Sequence, residues 1–416
     1  MLSQRMLRHR MLGRLALLTA VALVLLAALS AAPALSAAGA PADGIRTNQQ
    51  WVLSMLDAEA AWSVTRGAGM TVAVIDSGVN PYVSDLSGSV ITGPDYTGVS
   101  TSPSSSQWGV HGTWMASLIA GHGHDGGFSG VVGMAPAARI LSIRVIPDRG
   151  DPHYGKYERE RETVIQQSLA DGIKYAVMHG AKVISMSIGY SSPSGTVRAE
   201  LQDAYDHGVV VIASAGNSGG PGSSRPHKGA PESFPASYPG VISIGAVKAN
   251  AAVAAFSSDN LSVQVAAPGV GVPTQGRDGG YWEVSGTSPA CALVAGVAAL
   301  IKSRYPGLAP DLVASAMTST ASHRPAGGYD SQIGFGIVDA AAALTRAGQL
   351  AGDRPAVKGI KAAARYHGAL PPEPVGPRGS GQLVLLSLLA LTSLMLIVGA
   401  VTGLAVLRRS PDRGNR

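Results

Sequence analysis

Five short runs of β-branched and apolar residues, set apart by segments of helical period, constrain this chain more than any other feature. They are MTVAVID (70–76), RILSIRVI (139–146), KVISMSI (182–188), VVVIASAG (209–216) and GVISIGAV (240–247). Several are near-continuously apolar instead of alternating, as strands covered on both faces must be. Between the second and third runs, Ile165, Leu169 and Ile173 recur at four-residue spacing and Gly180 follows, the pattern of an amphipathic helix with a glycine stop. Strand, helix, strand in this rhythm predicts an α/β fold with a mostly parallel sheet and helices on both faces. Functional residues in such sheets collect at the C-terminal ends of the strands. No internal repeat at a fixed period interrupts this organisation.

The flanks have a different character. Arg5, Arg8, Arg10 and Arg14 precede LALLTAVALVLLAALS, and small-residue cleavage sites follow between Ala34 and Ala42. Residues 1–37 are therefore expected to be a signal peptide, with an uncleaved anchor as the alternative. From 383 to 407 the chain runs 25 residues without a charge. That length crosses the roughly 30 Å hydrocarbon core as a transmembrane helix; a buried core helix is the blander reading. Arg408 and Arg409 follow it, so residues 408–416 are expected to form a cytoplasmic tail, with the body outside the plasma membrane. Residues 350–382, rich in Pro, Gly and charge, read as a linker. The folded body is then 43–349, including a short N-terminal extension.

The formal charge of +6 is carried by the two ends: residues 1–42 and 345–416 hold +11 between them and leave 43–344 at −5. The basic balance thus gives no reason to expect a nucleic-acid partner. Cys291 is the only cysteine, so no intrachain disulfide can form although the destination is oxidising. The fold must be held by its core. Cys291 itself reads as a small core residue.

Three polar residues stand where chemistry is expected. Asp76 ends the run TVAVI, His111 begins an apolar helix in WGVHGTWMASLIAG, and Ser288 opens the apolar stretch TSPACALVAGVAAL. Alone, each is ordinary: an aspartate in a turn, a structural histidine, a serine capping a helix. Together they have a chemical logic, because serine is a poor nucleophile until a base takes its proton and a carboxylate fixes the base's tautomer.

The order Asp, His, Ser and the motifs AVIDSGV, HGTWMAS and SGTSPA resemble the subtilisin-like (S8) serine peptidases. VVGMAPAARI (131–140), SYPGVISIGAV (237–247), AAPGV (266–270) and GFGIVDAAAAL (334–344) fit the same family, so the resemblance covers most of 60–344. It implies a subtilisin-like three-layer α/β fold, a catalytic Asp76, His111 and Ser288, and an oxyanion-hole amide at Asn217. It also implies that Ser187, Ile188 and Gly189 pair with an extended substrate, and that Ala213, Ser214, Ala215 and Gly216 wall the pocket for the residue before the cut. Pro289 replaces the bulkier residue usual after the serine, and proline suits a first helical turn. No cofactor or metal is expected for the chemistry. GHGHDGG (121–127) offers two histidines and an aspartate without a further ligand in register, and structural calcium, which relatives often carry, stays open.

A short extension, a peptidase domain, a Pro-rich linker and one C-terminal span resemble the mycosins, the membrane-anchored subtilases of type VII secretion. The single cysteine departs from the disulfide pairs many mycosins have. About 30 residues between signal and first strand are too few for a folded inhibitory prodomain. Trp51, Leu53, Leu56 and Trp62 are expected to pack on the body instead. Two classes of function fit: an endopeptidase acting on secreted or envelope proteins, whether mycosin-like or a general degrading subtilisin, and a subtilase-shaped component that stabilises a membrane secretion complex.

Overall fold

The computed structural model describes residues 42–125, 129–159, 161–219 and 230–352. The expected signal peptide, the 383–407 span, the tail and nearly all of the linker lie outside the described residues. Among those described, no helix is long and apolar enough to cross a membrane.

The strands are β1 (Thr71–Asp76), β2 (Val90–Asp95), β3 (His122–His124), β4 (Ser129–Val132), β5 (Arg139–Arg144), β6 (Val183–Met186), β7 (Val210–Ser214), β8 (Val241–Val247), β9 (Val263–Pro268), β10 (Val272–Gln275) and β11 (Tyr281–Val284). The helices are α1 (Ala42–Met55), α2 (Ala58–Trp62), α3 (Val110–Ala120), α4 (Tyr154–Arg159), α5 (Arg161–Met178), α6 (Gly195–Asp206), α7 (Thr287–Arg304), α8 (Pro310–Thr320) and α9 (Ala340–Gly352).

Seven strands make one parallel sheet in the order β2-β5-β1-β6-β7-β8-β9, and β3–β4 and β10–β11 form two small antiparallel ribbons. All five predicted strands are in the large sheet. Strand β1 shows why they read as continuous apolar runs: Val72 and Val74 join one core while Ala73 and Ile75 join the other. A strand buried on both faces has no polar face to alternate with. Helices α5 and α6 cover one side, and α1, α3, α7, α8 and α9 contribute to the core on the other. Helix α7 runs through that second layer, with Ala290, Leu293, Val297 and Leu300 each 0% exposed, so its sequence is apolar all round.

The N-terminal extension packs on the body as expected. Leu53 and Leu56 are buried, Trp51 and Trp62 lie half-buried against the same core, and Trp62 Nε1 donates to the Met134 carbonyl at 2.8 Å. Each such leucine is worth about 1.5–3 kcal/mol in area removed from water. Gln49 adds a two-way clasp, donating to the Val132 carbonyl at 2.7 Å and accepting the Val132 N–H at 3.0 Å. At the other end α9 extends to Gly352, past the expected linker start at 350.

Candidate active site

The site is built where β1 ends. Asp76 is 1% exposed, and one of its oxygens accepts the Ser77 N–H at 2.7 Å. Gly78 then turns the chain with φ +100°, a region open to glycine, and a Cβ there would press on the Trp108 ring at 2.7 Å. Behind this turn Arg144, 1% exposed, donates to the Ser77 carbonyl at 3.1 Å and is paired with Asp95 at 2.6 Å and Asp151 at 3.0 Å. A buried arginine held by two carboxylates stiffens the loop that carries Asp76.

Helix α3 brings His111 to this carboxylate. Its third residue, Gly112, rests so close to the Gly78 carbonyl that a Cβ would overlap the oxygen, which is why the helix can cross the Asp76 turn here. His111 Nδ1 lies 2.8 Å from Asp76 Oδ1 and 3.0 Å from Oδ2. A carboxylate only accepts, so Nδ1 carries the proton and Nε2 is left as the basic nitrogen. The ring is 29% exposed at the cleft. Burial works against the charged ring, but the Asp76 charge and hydrogen bond, aided by Asp148, outweigh it and hold the His111 pKa above the ordinary histidine value.

Ser288 is the second residue of α7, at the helix end where N–H groups have no partner within the helix. Pro289, the third, is buried and removes one donor that the first turn would leave unpaired. Asn217 follows β7, with its Oδ1 accepting both the Thr287 N–H and the Thr287 hydroxyl at 2.9 Å. The N–H donor fixes which end of the amide is oxygen, leaving Nδ2 free to donate. Ser187 Oγ donates to the Ser288 carbonyl at 3.3 Å, tying the end of β6 to the start of α7.

His111, Ser288 and Asn217 line one cleft of about 970 Å³. Ser187, Ile188, Gly189, Ser214 and Gly216 line it too, whereas Ala213 and Ala215 do not and are 0% exposed behind it. The sequence expectation named all four residues 213–216 for this wall. Ala213 and Ser214 are successive residues of β7 and face opposite sides, and Ala215 and Gly216 follow the end of the strand. Strand β6 also ends at Met186, two residues before the predicted Ile188, because the chain leaves the ladder to form the cleft wall.

Among the described residues no three His, Cys, Asp or Glu side chains are grouped to hold a metal ion. The two histidines of GHGHDGG have other partners. His122 Nε2 is 3.0 Å from the Ser87 carbonyl, and His124 Nδ1 is 2.7 Å from the buried Asp85. Cys291 is buried, and burial pushes its thiol up to about 12, which suits a core residue. Asp148 was not among the sequence candidates. It lies beside the cleft and accepts the His111 N–H at 2.9 Å.

A parallel α/β sheet that presents an Asp–His pair and a helix-start serine along one cleft is the layout of a base-activated serine hydrolase. Residues 67–336 match the model of the subtilase family, peptidase S8. Subtilisin DY of Bacillus licheniformis is 34% identical over 278 residues, covering 67% of this chain and 92% of its own length. Thermitase of Thermoactinomyces vulgaris is 31% identical, covering 68% and 91%. Among solved structures, the MycP3 protease from the type VII (ESX-3) secretion system aligns with a TM-score of 0.60 at 32% identity, over 71% of this chain and 87% of that one. MycP1 from Mycobacterium smegmatis aligns at 0.59 and 31%, over 71% and 84%. The chain belongs to the subtilase family. It is a subtilisin-like serine peptidase with mycosins among its structural neighbours.

Proposed function

We propose that the chain is an extracytoplasmic serine endopeptidase of mycosin type, anchored by 383–407 and associated with type VII secretion. The observation that carries the chemistry is the His111 Nδ1–Asp76 hydrogen bond at 2.8 Å, in the cleft that Ser288 and Asn217 share. Ser288 Oγ attacks the scissile carbonyl as His111 Nε2 takes its proton, while Asp76 holds the tautomer and stabilises the imidazolium. The Asn217 Nδ2–H and the Ser288 N–H receive the oxyanion. His111 returns the proton to the leaving amine, leaving an acyl group on Ser288 that water hydrolyses by the same base. No step calls for a metal or cofactor.

The substrate is an extended protein or peptide segment laid along Ser187, Ile188 and Gly189 by backbone pairing. Its residue before the cut enters between Gly189 and Gly216, and Ser233 closes that slot. A Cβ on Gly189 would stand 2.5 Å from Ser233 Oγ, and one on Gly216 3.7 Å from it. The slot fits a small side chain.

Membrane placement rests on the uncharged 383–407 run with its basic flank, and the secretion link on the likeness to MycP1 and MycP3. One experiment tests site and topology together: intact cells treated with a membrane-impermeant fluorophosphonate. Labelling of the parent and none of Ser288→Ala is expected. Labelling of both variants would misassign the nucleophile, and labelling only after permeabilisation would reverse the topology.

A further inference from the structure

Helix α3 begins without a capping side chain of its own. Gly109 occupies the N-cap with φ 74°, and a Cβ there would stand 3.1 Å from the Gly78 backbone. The first N–H groups of a helix have no acceptor within it, and here none comes from the preceding residue. Acceptors arrive from elsewhere in the chain. Asp148 Oδ2 takes the Val110 N–H at 2.8 Å, Asp148 Oδ1 takes the His111 N–H at 2.9 Å, and Ser77 Oγ takes the Gly112 N–H at 3.1 Å.

Two features make Asp148 more than a cap. One of its partners is the backbone of His111 itself, and the residue is only 8% exposed, so solvent neither screens its charge fully nor competes for its bonds. It also belongs to the stretch Ile146, Pro147, Asp148, Arg149 and Gly150 that lines the substrate cleft. We propose that Asp148 is a positioning residue for the reaction: it locks the backbone of His111 and supplies negative charge beside the imidazole as the ring takes up the serine proton. This rests on the reading of His111 as the base. The transition state carries an imidazolium, so a fixed carboxylate nearby stabilises it more than the neutral resting ring.

The charged groups acting on His111 are Asp76 and Asp148, which raise its pKa, and Arg149, which with burial lowers it. Burial pushes the Asp148 carboxyl itself up, while the His111 and Val110 N–H groups and the Ser77 hydroxyl hold it back. The rate needs a neutral ring and so rises with pH through the His111 pKa. Neutralising Asp148 leaves Asp76 and Arg149 in place and moves that rise to lower pH.

The test is the rate of fluorophosphonate labelling of the full chain across pH, for the parent, Asp148→Asn and Asp148→Glu. Asparagine keeps one acceptor but turns a donor toward the second N–H. In Asp148→Asn the midpoint should move to lower pH and the plateau should fall about tenfold, as for a base held slightly out of place. Asp148→Glu keeps the charge and should return the midpoint toward the parent's. The midpoint is compared over the pH range in which thermal melts show each variant folded, so a loss of folded protein is not read as a shift. A labelling parent with an unmoved midpoint in Asp148→Asn would overturn the proposal and leave the site intact. A parent that does not label at all would sink the reading of the site, and this proposal with it.

Discussion

Replacing Asn217 separates two jobs that its amide does at once. Its oxygen accepts from the Thr287 N–H and hydroxyl, both at 2.9 Å, and so holds the start of α7. Its Nδ2–H is the proposed oxyanion donor. Asn217→Ala removes both, whereas Asn217→Asp keeps an acceptor for Thr287 and removes only the donor. Because Asn217 is exposed, water can replace the lost acceptor, and Asn217→Ala should cost about 1 kcal/mol of stability. Loss of one oxyanion donor lowers kcat by about 10² to 10³, or about 2.7–4 kcal/mol of barrier. The donor acts only as the tetrahedral intermediate forms, so KM should move little. Both variants should therefore be slow, and only the alanine should melt earlier. Steady-state kinetics on a fluorogenic peptide, with thermal melts of the same samples, check both. A kcat within about threefold of the parent in Asn217→Ala, under about 0.7 kcal/mol, would mean that Asn217 serves the helix and that the oxyanion is held elsewhere.

Further outcomes follow from the same geometry. The acid limb of kcat/KM should have its midpoint above the ordinary histidine value of about 6.5, since His111 is raised; a midpoint below that value would contradict the Asp76 pairing. The stability linked to His111 runs the other way, present below its unfolded pKa and lost as pH rises through the folded one, so melts should show this contribution fading where activity appears. Peptides with alanine before the cut should be preferred to those with phenylalanine. Ser233→Gly should raise the phenylalanine-to-alanine ratio of kcat/KM about tenfold, and an unchanged ratio would remove Ser233 from the slot. Incubation with EDTA should leave the labelling rate unchanged, because proton transfer to His111 activates Ser288; a loss reversed by calcium would show that the site depends on an ion.

What the sequence revealed, and what it hid, has physical reasons. β1 and β5–β8 were legible because burial on both faces writes an unbroken apolar run. β2, with TGPD at its end and no residue fully buried, and β9, interrupted by Gln264, carry no such run and were not anticipated. Asp76, His111, Ser288 and Asn217 stand out in local motifs at strand ends and helix starts; the fold brings His111, Ser288 and Asn217 to one cleft and buries Asp76 against the His111 ring. Asp148 was not, since it caps a helix that starts 38 residues earlier in the chain and has only turn-like neighbours in PDRGD. Arg144 was hidden in the same way. It sits inside a predicted strand, and only the fold shows that Asp95 and Asp151 meet it. The motif marks 213–216 as a block, and only the fold shows that Ser214 and Gly216 line the cleft while Ala213 and Ala215 are buried behind it.

The central claim is that Ser288, activated by the Asp76–His111 pair, carries an acyl group during turnover. Rapid mixing of the purified chain with a peptide p-nitrophenyl ester tests it most directly, with acid quenching and mass mapping of the trapped protein. A burst of about one product per active site is expected, followed by slower turnover, with the acyl mass on the peptide containing Ser288 and neither burst nor adduct in Ser288→Ala. Product formation that is linear from the start with no trapped adduct, or an acyl group on any other residue, would contradict the account.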